Sequence, residues 1–187
     1  MNRLQACVLA TLALLLGACS STSGQLEEIG EVTVSSIQKA GIALPASGTY
    51  SFARGSGVRW SVDSERQAVD QAFREAFDAA MVDRRWRRIS SEAATLRIAY
   101  VVGLDEELKP DEMPDRFGLS SDWVTEPSEG RAKGSIVVLA ADGLTGDLLW
   151  RGALTGMASR TMPLEQRVAR IRELAARMVA ELPLGSR

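Results

Sequence analysis

The chain has 187 residues, with 22 basic and 24 acidic side chains and a formal net charge of −2 at pH 7. This balance lacks the clustered basic excess of a nucleic-acid-binding protein, so we expect no nucleic-acid partner. The sequence has no histidine and two cysteines, Cys7 and Cys19. Serine–histidine triads and zinc sites built from histidine and cysteine are therefore excluded, and we predict a protein that is not an enzyme and holds no cofactor.

The first eighteen residues are typical of a cleaved export signal. Met1–Arg3 is a short basic start, and Ala6–Ala18 is apolar except for Thr11 and Gly17. This run is too short to span a bilayer, which needs about 20 apolar residues. It fits the apolar segment of a signal peptide with small residues at its end. We predict that residues 1–18, including Cys7, are removed.

The apolar run ends in Leu16-Gly17-Ala18-Cys19, which resembles the lipobox of bacterial lipoproteins. The resemblance implies that the Cys19 thiol receives a diacylglyceryl group and that the new amino terminus is acylated. Each buried methylene contributes about 0.8 kcal/mol, so two or three chains hold a protein firmly to a membrane. Ser20 follows the cysteine, which by the usual sorting rule implies the periplasmic face of the outer membrane. Exposure on the cell surface stays an open alternative.

The mature chain is predicted to consist of the lipidated cysteine with a flexible tether, residues 19–29, and a single domain, residues 30–187. Alternating residues predict strands over 30–37 and 49–52. A helix is predicted over about 63–82 because apolar residues recur there at helical spacing. Those apolar positions are Val69, Ala72, Phe73, Ala76, Phe77, Ala80 and Met81.

The second half of the chain is predicted to be rich in strands. They are expected over 85–89, 95–104, 132–141 and 148–158, with a hairpin turn at 142–147 between the last two. A second amphipathic helix is predicted to begin after Pro163 and to end before Pro183. This order predicts an α+β fold: an antiparallel sheet of about four to six strands with two amphipathic helices packed on one face.

Two segments carry a family resemblance. Gly48-Thr49-Tyr50-Ser51-Phe52 precedes the first helix, and Thr145-Gly146-Asp147-Leu148-Leu149-Trp150-Arg151-Gly152 precedes the second. With the lipobox, in this order, they resemble the bacterial lipoprotein family known as domain of unknown function 4136, over roughly residues 30–183. The family usually has Trp at the position of Phe52. The resemblance implies the fold and the location, and it implies no catalytic residues.

An acidic stretch separates two of the predicted strands. Residues 105–129 hold nine acidic side chains beside Lys109 and Arg116. Carboxylates at this density could bind a hard cation such as calcium. The candidate ligands are Asp105, Glu106, Glu107, Asp111, Glu112 and Asp115. Their spacing does not match the known calcium loop, which favours a solvated excursion instead.

Three apolar residues lie in the same stretch, Phe117, Leu119 and Trp123. They are expected either to pack the excursion onto the sheet, which is the favoured alternative, or to form a surface for a partner.

Two further motifs have both a functional and a structural interpretation. Residues 84–88 contain four arginines around Trp86 and could meet anionic headgroups. We favour a strand with Trp86 inward and the arginines in water. Gly55-Ser56-Gly57 precedes a helix but lacks the Lys-Ser/Thr of a phosphate-binding loop, so a tight turn is predicted.

These observations lead to two hypotheses. The first is an outer-membrane-anchored lipoprotein that acts as a non-enzymatic binding or structural module, with membrane lipid at acylated Cys19 and an envelope protein as partners. The alternative is a protein that binds a small ligand in a pocket between sheet and helices, or a divalent cation in the acidic stretch.

Overall fold

The computed structural model describes residues 32–42, 44–59, 63–90, 93–104, 131–159 and 161–185. These ranges contain seven strands and two helices. The strands are β1 (Thr33–Gln38), β2 (Gly48–Phe52), β3 (Gly57–Arg59), β4 (Trp86–Arg88), β5 (Leu96–Leu104), β6 (Arg131–Asp142) and β7 (Leu148–Ser159). The helices are α1 (Asp63–Asp83) and α2 (Leu164–Glu181).

All seven strands belong to one mixed sheet. Its order is β1-β7-β6-β5-β2-β4, and β3 pairs with β5 beyond the end of β2. Neighbours are antiparallel from β1 to β5. In contrast, β2 runs parallel to β4 and β5, and β3 runs parallel to β5. After β2 and β3, helix α1 carries the chain back to the end of the sheet where β2 begins. β4 therefore runs in the same direction as β2.

The α+β prediction is confirmed, and two of its details are wrong. The sheet has seven strands rather than four to six, and it is mixed rather than antiparallel. The additional strand β3 has three residues and includes Gly57, which was predicted to lie in a turn. Three residues carry too little periodicity to predict a strand, and β3 is strand-like because β5 offers it a free edge to pair with.

Both helices pack on the same face of the sheet, which we call the helix-covered face. The α1 residues Phe73 and Phe77 contact Tyr100 and Tyr50 of the sheet. Met178 of α2 lies beside Gly152 of β7. Apolar burial of this kind contributes about 25 cal/mol per Å². The sheet side chains that are almost fully buried in this core include Tyr50, Leu96, Ile98, Tyr100, Val138, Trp150 and Leu154.

The opposite face, which we call the second face, carries smaller side chains. Val137 and Ala153 are each 1% exposed and form a separate apolar cluster with the partly buried Leu139. Ser135 and Thr155 are also buried there. Register places these residues on the second face, because their strand neighbours Ile136, Val138 and Leu154 belong to the helix-covered core.

The sheet has two distinct ends. We call the end of the sheet at which β1 begins the proximal end. There Thr33 of β1 is paired with Thr155 of β7, and Thr155 lies in one row with Ser135 of β6 and Gly103 of β5. At the distal end lies the hairpin turn between β6 and β7. Within the described ranges, neither helix is long and apolar enough to cross a membrane.

Candidate functional site

One face of α1 carries polar residues at regular spacing directly beside the apolar stripe. Asp70, Arg74 and Asp78 follow each other at intervals of four residues, which places them in a row along the helix. The row lies against the edge of the helix-covered core, over Tyr50, Phe52 and Tyr100. We call these six residues, together with Arg88 of β4, the Phe52 cluster.

The first half of the cluster joins β2, β4 and α1. The Tyr50 hydroxyl donates a hydrogen bond to Asp78 Oδ1. Arg88 Nη1 lies 2.9 Å from Asp78 Oδ2, so both carboxylate oxygens of Asp78 have a partner. A tyrosine, an aspartate and an arginine from three elements thus form one continuous network.

The second half repeats this arrangement about two helical turns away, since Asp70 lies eight residues before Asp78 on α1. The Tyr100 hydroxyl donates to Asp70 Oδ1 at 2.6 Å, and Arg74 Nε donates to Asp70 Oδ2 at 2.8 Å. The turn before β3 joins the network, because Ser56 Oγ accepts from the Tyr100 backbone N–H at 3.3 Å. The two halves together tie α1 to β2, β4 and β5.

Phe52 lies between the two networks and is half-buried. Its ring packs edge-on against Tyr50 and Tyr100, with centroids 5.7 and 5.3 Å apart. The guanidinium carbons of Arg74 and Arg88 lie 4.9 and 5.8 Å from the Phe52 centroid, within the range of cation–π attraction. Phe52 therefore packs against side chains of its own chain rather than presenting an open platform for a ligand.

The tyrosines of the cluster are held in their neutral form. Burial raises the pKa of Tyr50, and its hydrogen bond to Asp78 raises this pKa further. Burial and the hydrogen bond to Asp70 do the same to the pKa of Tyr100. A tyrosine that stays protonated near neutral pH cannot act as a nucleophile or general base. The cluster therefore has the chemistry of a network that holds a helix on a sheet.

The segments 48–52 and 145–152 each contain a glycine that makes room for a tryptophan. A Cβ on Gly48 would lie 2.8 Å from a ring atom of Trp86, and a Cβ on Gly152 would lie 2.3 Å from a ring atom of Trp150. Both tryptophans are buried in the core. Close approach of the backbone to a large ring explains why glycine stands at these positions.

The hairpin turn between β6 and β7 is ordered by its own side chains. Asp142 Oδ1 accepts hydrogen bonds from the backbone N–H groups of Leu144 and Thr145, at 2.8 and 2.7 Å. These bonds lower the pKa of the Asp142 carboxyl. Gly146 adopts a φ of 77°, which suits glycine. The turn leaves Leu144 at its tip with 95% of its surface exposed.

The side chains of the basic stretch 84–88 lie in different surroundings. Trp86 is buried as predicted, and its Nε1 has no hydrogen-bond partner among the described residues. The expectation that the arginines face water holds for Arg85, Arg87 and Arg88, which are exposed, and is wrong for Arg84, which is partly buried. Arg84 Nη1 donates to the carbonyls of Val179 and Leu182 at 2.8 and 3.1 Å, which caps the C-terminus of α2.

The position of this stretch also bears on contact with headgroups. Trp86 pairs with Gly48 near the distal end, whereas β1 begins at the proximal end. Leu96 and Gly103, which mark these two ends on β5, are seven residues apart, or about 23 Å. Surface charges are screened over about 8 Å at physiological salt. Residues 84–88 thus lie at the opposite end of the sheet from the start of β1, and headgroup binding stays a prediction.

Several predicted site residues lie outside the described ranges. They are Cys19 and the candidate cation ligands Asp105, Glu106, Glu107, Asp111, Glu112 and Asp115. Among the residues that the structure does describe, no group of three or more acidic, histidine or cysteine side chains could hold a metal ion. The predicted tight turn is confirmed at Gly55, which has a φ of 81°, whereas Gly57 belongs to β3. An open depression of about 330 Å³ lies at the distal end of β1, beside residues 38–42.

No protein-family model matches the chain, and no curated protein matches it. Among solved structures, the chain is similar to the PelC dodecamer from Paraburkholderia phytofirmans, with 10% identity, 83% of this chain and 100% of that chain covered, and a TM-score of 0.48. It is also similar to a PDZ domain protein from Parabacteroides distasonis, with 9% identity and a TM-score of 0.48 over 82% of this chain and 38% of that chain. Likeness at this level carries no functional argument.

Proposed function

We propose that this chain is an outer-membrane-anchored lipoprotein whose folded domain acts as a binding or structural module of the envelope and catalyses no reaction. The anchored part of the proposal rests on the apolar run that ends in Leu16-Gly17-Ala18-Cys19. Acyl chains on Cys19 would keep the domain within reach of envelope components at a high local concentration.

The observation that carries the non-catalytic part is the saturation of the Phe52 cluster. Both carboxylates of the cluster are bonded to a tyrosine and an arginine. A catalytic carboxylate or tyrosine needs a free position toward substrate, whereas these groups are committed to one another. The interface between sheet and helices is filled by buried aromatic and aliphatic side chains, which favours binding at the outer surface over a small-ligand pocket.

The geometry also suggests how the domain would stand on a membrane. The tether leads into β1 at the proximal end, so the hairpin tip with Leu144 would be the part farthest from the anchor along the strands. An exposed leucine on an ordered turn is a suitable contact for an apolar pocket on another protein. A partner deeper in the periplasm would meet this end first.

The proposal is tested by crosslinking in intact cells followed by mass spectrometry. We compare the wild-type chain with Cys19→Ala, and we use Cys7→Ala as the matched control, since Cys7 is predicted to leave with the signal. The proposal predicts adducts with an envelope component from wild type and Cys7→Ala, and their loss with Cys19→Ala. Absence of adducts from the wild type, or equal adducts from all three chains, would overturn it.

A further inference from the structure

The two edges of the sheet differ in how they are protected from other chains. The strands at the ends of the strand order are β1 and β4. β4 has only three residues, and two of them are arginines. β1 has six residues, with no charge, no proline and no shift of register against β7. Charges, prolines, bulges and short length are the usual devices that stop an edge strand from pairing with another chain, and β1 lacks them.

Alternate residues of β1 turn their backbone groups away from the sheet. Just beyond the end of β1, the Lys39 N–H donates to the Leu149 carbonyl at 2.9 Å. The odd-numbered residues therefore form the hydrogen-bonded pairs with β7, and the N–H and C=O groups of Val34, Ser36 and Gln38 point outward. Ser36 and Gln38 are exposed, and among the described strands only β7 pairs with β1. The outer edge of β1 is thus open to another strand.

The outward residues of β1 match those of a second β1 in antiparallel orientation. All three find partners within the strand when Ser36 lies opposite Ser36 of a second copy. Val34 then lies opposite Gln38 of the second copy, and the three pairs give about six backbone hydrogen bonds. Because residues 33–38 are uncharged, no like charges meet in this register. β1 is thus complementary to itself.

The same register shields an exposed apolar side chain. Ile37 is 46% exposed on the second face. In this pairing it lies opposite Ser35 of the second copy. It is also diagonal to Ile37 of the second copy, at about 7–8 Å, a distance that long side chains bridge. The isoleucine is thereby covered without any change inside the domain.

The geometry points to one occupant: we infer that β1 pairs with β1 of a second copy of this chain, in antiparallel orientation about a two-fold axis at Ser36. The contact is isologous, and it joins two seven-stranded sheets into one continuous sheet. The two proximal ends then lie at opposite ends of the joined strands, about 20 Å apart. A stretch as long as residues 19–31 bridges this distance when extended. The pairing itself needs no lipid, so it stands independently of the anchor proposed above.

A cysteine in place of Ser36, in the full chain in membranes, tests this inference. Residues opposite each other in a hydrogen-bonded antiparallel pair have Cα atoms about 5.5 Å apart, which suits a disulfide. Gln38→Cys is the matched control, because Gln38 is also exposed on β1 but would lie about 13 Å or more from its counterpart. Under mild oxidation we expect a disulfide-linked dimer from Ser36→Cys, with the bond at position 36. Gln38→Cys should give no more dimer than the wild type, which reports any contribution of Cys7 and Cys19.

Three outcomes would overturn the inference: no dimer from Ser36→Cys, equal amounts of dimer from the two variants, or a disulfide between position 36 and a different protein. If Ser36→Cys does not accumulate, Ser36→Pro takes its place. Proline is tolerated on an edge strand where the missing N–H faces outward, so this variant keeps the pairing with β7 and blocks a further strand. Native mass spectrometry of the membrane-extracted protein should then show a dimer for the wild type and a monomer for Ser36→Pro. The same oligomeric state for both chains would contradict pairing through β1.

Discussion

The helix-covered face and the second face of the sheet differ in the size of the apolar side chains that they bury. On the helix-covered face, Trp150 and Tyr100 meet aromatic and sulfur-containing side chains of α1 and α2. On the second face, the same strands carry Ala153 and Val137, which form a small cluster of their own. Large aromatic residues thus mark the face on which the two helices pack, whereas the buried apolar residues of the second face are small.

The largest effect is expected from removing an aromatic side chain of the helix-covered face. Trp150→Ala deletes a ring that is 2% exposed, and we expect a loss of about 3–5 kcal/mol in the free energy of unfolding. Leu144→Ala, at a position that is 95% exposed, is the control and should change stability by less than about 0.5 kcal/mol. Denaturant unfolding measures both. Similar losses for the two variants would contradict the described core.

The next effect concerns the clamp that keeps α2 on its face. Arg84→Gln removes the charged donors to the carbonyls of Val179 and Leu182, with an expected loss of about 2–3 kcal/mol. Arg87→Gln is the matched control, because Arg87 is exposed on the neighbouring strand and should cost less than about 0.5 kcal/mol. Hydrogen exchange should also accelerate in the last turn of α2 for the first variant. Equal exchange there in both variants would show that Arg84 does not hold the helix.

A pair of neighbouring valines compares the two faces directly. Val137 and Val138 are both almost fully buried but point to opposite faces. Each substitution to alanine should cost about 2 kcal/mol, from two lost methyl groups and the cavity they leave. Denaturant unfolding of the two variants measures both costs. A cost below about 0.5 kcal/mol at either valine would contradict the burial of that face.

The last expected effect is a dependence of the free energy of unfolding on pH, which arises at the Phe52 cluster. The pKa values of Tyr50 and Tyr100 are raised in the folded chain, so folding favours the protonated form. Their contribution is complete below the ordinary tyrosine pKa of about 10 and is lost as pH rises above it, by up to about 1.4 kcal/mol per pH unit for each tyrosine.

The chain has only these two tyrosines, so tyrosinate absorbance reports the cluster alone. Between pH 9 and 11 we expect stability to fall and absorbance to appear only on unfolding. The variant with both Tyr50→Phe and Tyr100→Phe should lack this tyrosine-dependent loss. Tyrosinate absorbance in the folded wild-type chain near pH 10 would show that the hydroxyls are not held by Asp70 and Asp78.

Much of the fold could be predicted from the sequence, because the long elements have strong periodicity. α1 was expected over 63–82 and extends over Asp63–Asp83, and β7 was expected over 148–158 and extends over Leu148–Ser159. The parallel pairings could not be predicted, since β2 and β3 are short and their direction depends on which edge of β5 they join. Which strands pair is determined by the sheet as a whole, so the sequence of a three-residue strand contains little information about its partner.

The Phe52 cluster was missed, although a signal for it exists. Asp70, Arg74 and Asp78 are spaced four residues apart beside the apolar stripe of α1, a pattern that predicts partners at the rim of the core. The sequence alone does not indicate that the partners are Tyr50 and Tyr100, because these lie on two strands that meet only in the folded sheet. The helical spacing predicts that these polar residues have partners, and the pairing of distant strands in the folded sheet determines which residues the partners are.

The proposed function depends most on the lipid anchor at Cys19, and the intact mass of the protein purified from membranes tests this anchor most directly. We predict a chain that begins at Cys19 and carries a diacylglyceryl group on its sulfur and an acyl group on its amino terminus, whereas Cys19→Ala should carry neither. A wild-type mass that corresponds to an unacylated chain retaining residues 1–18 would contradict the proposed location and the function that rests on it.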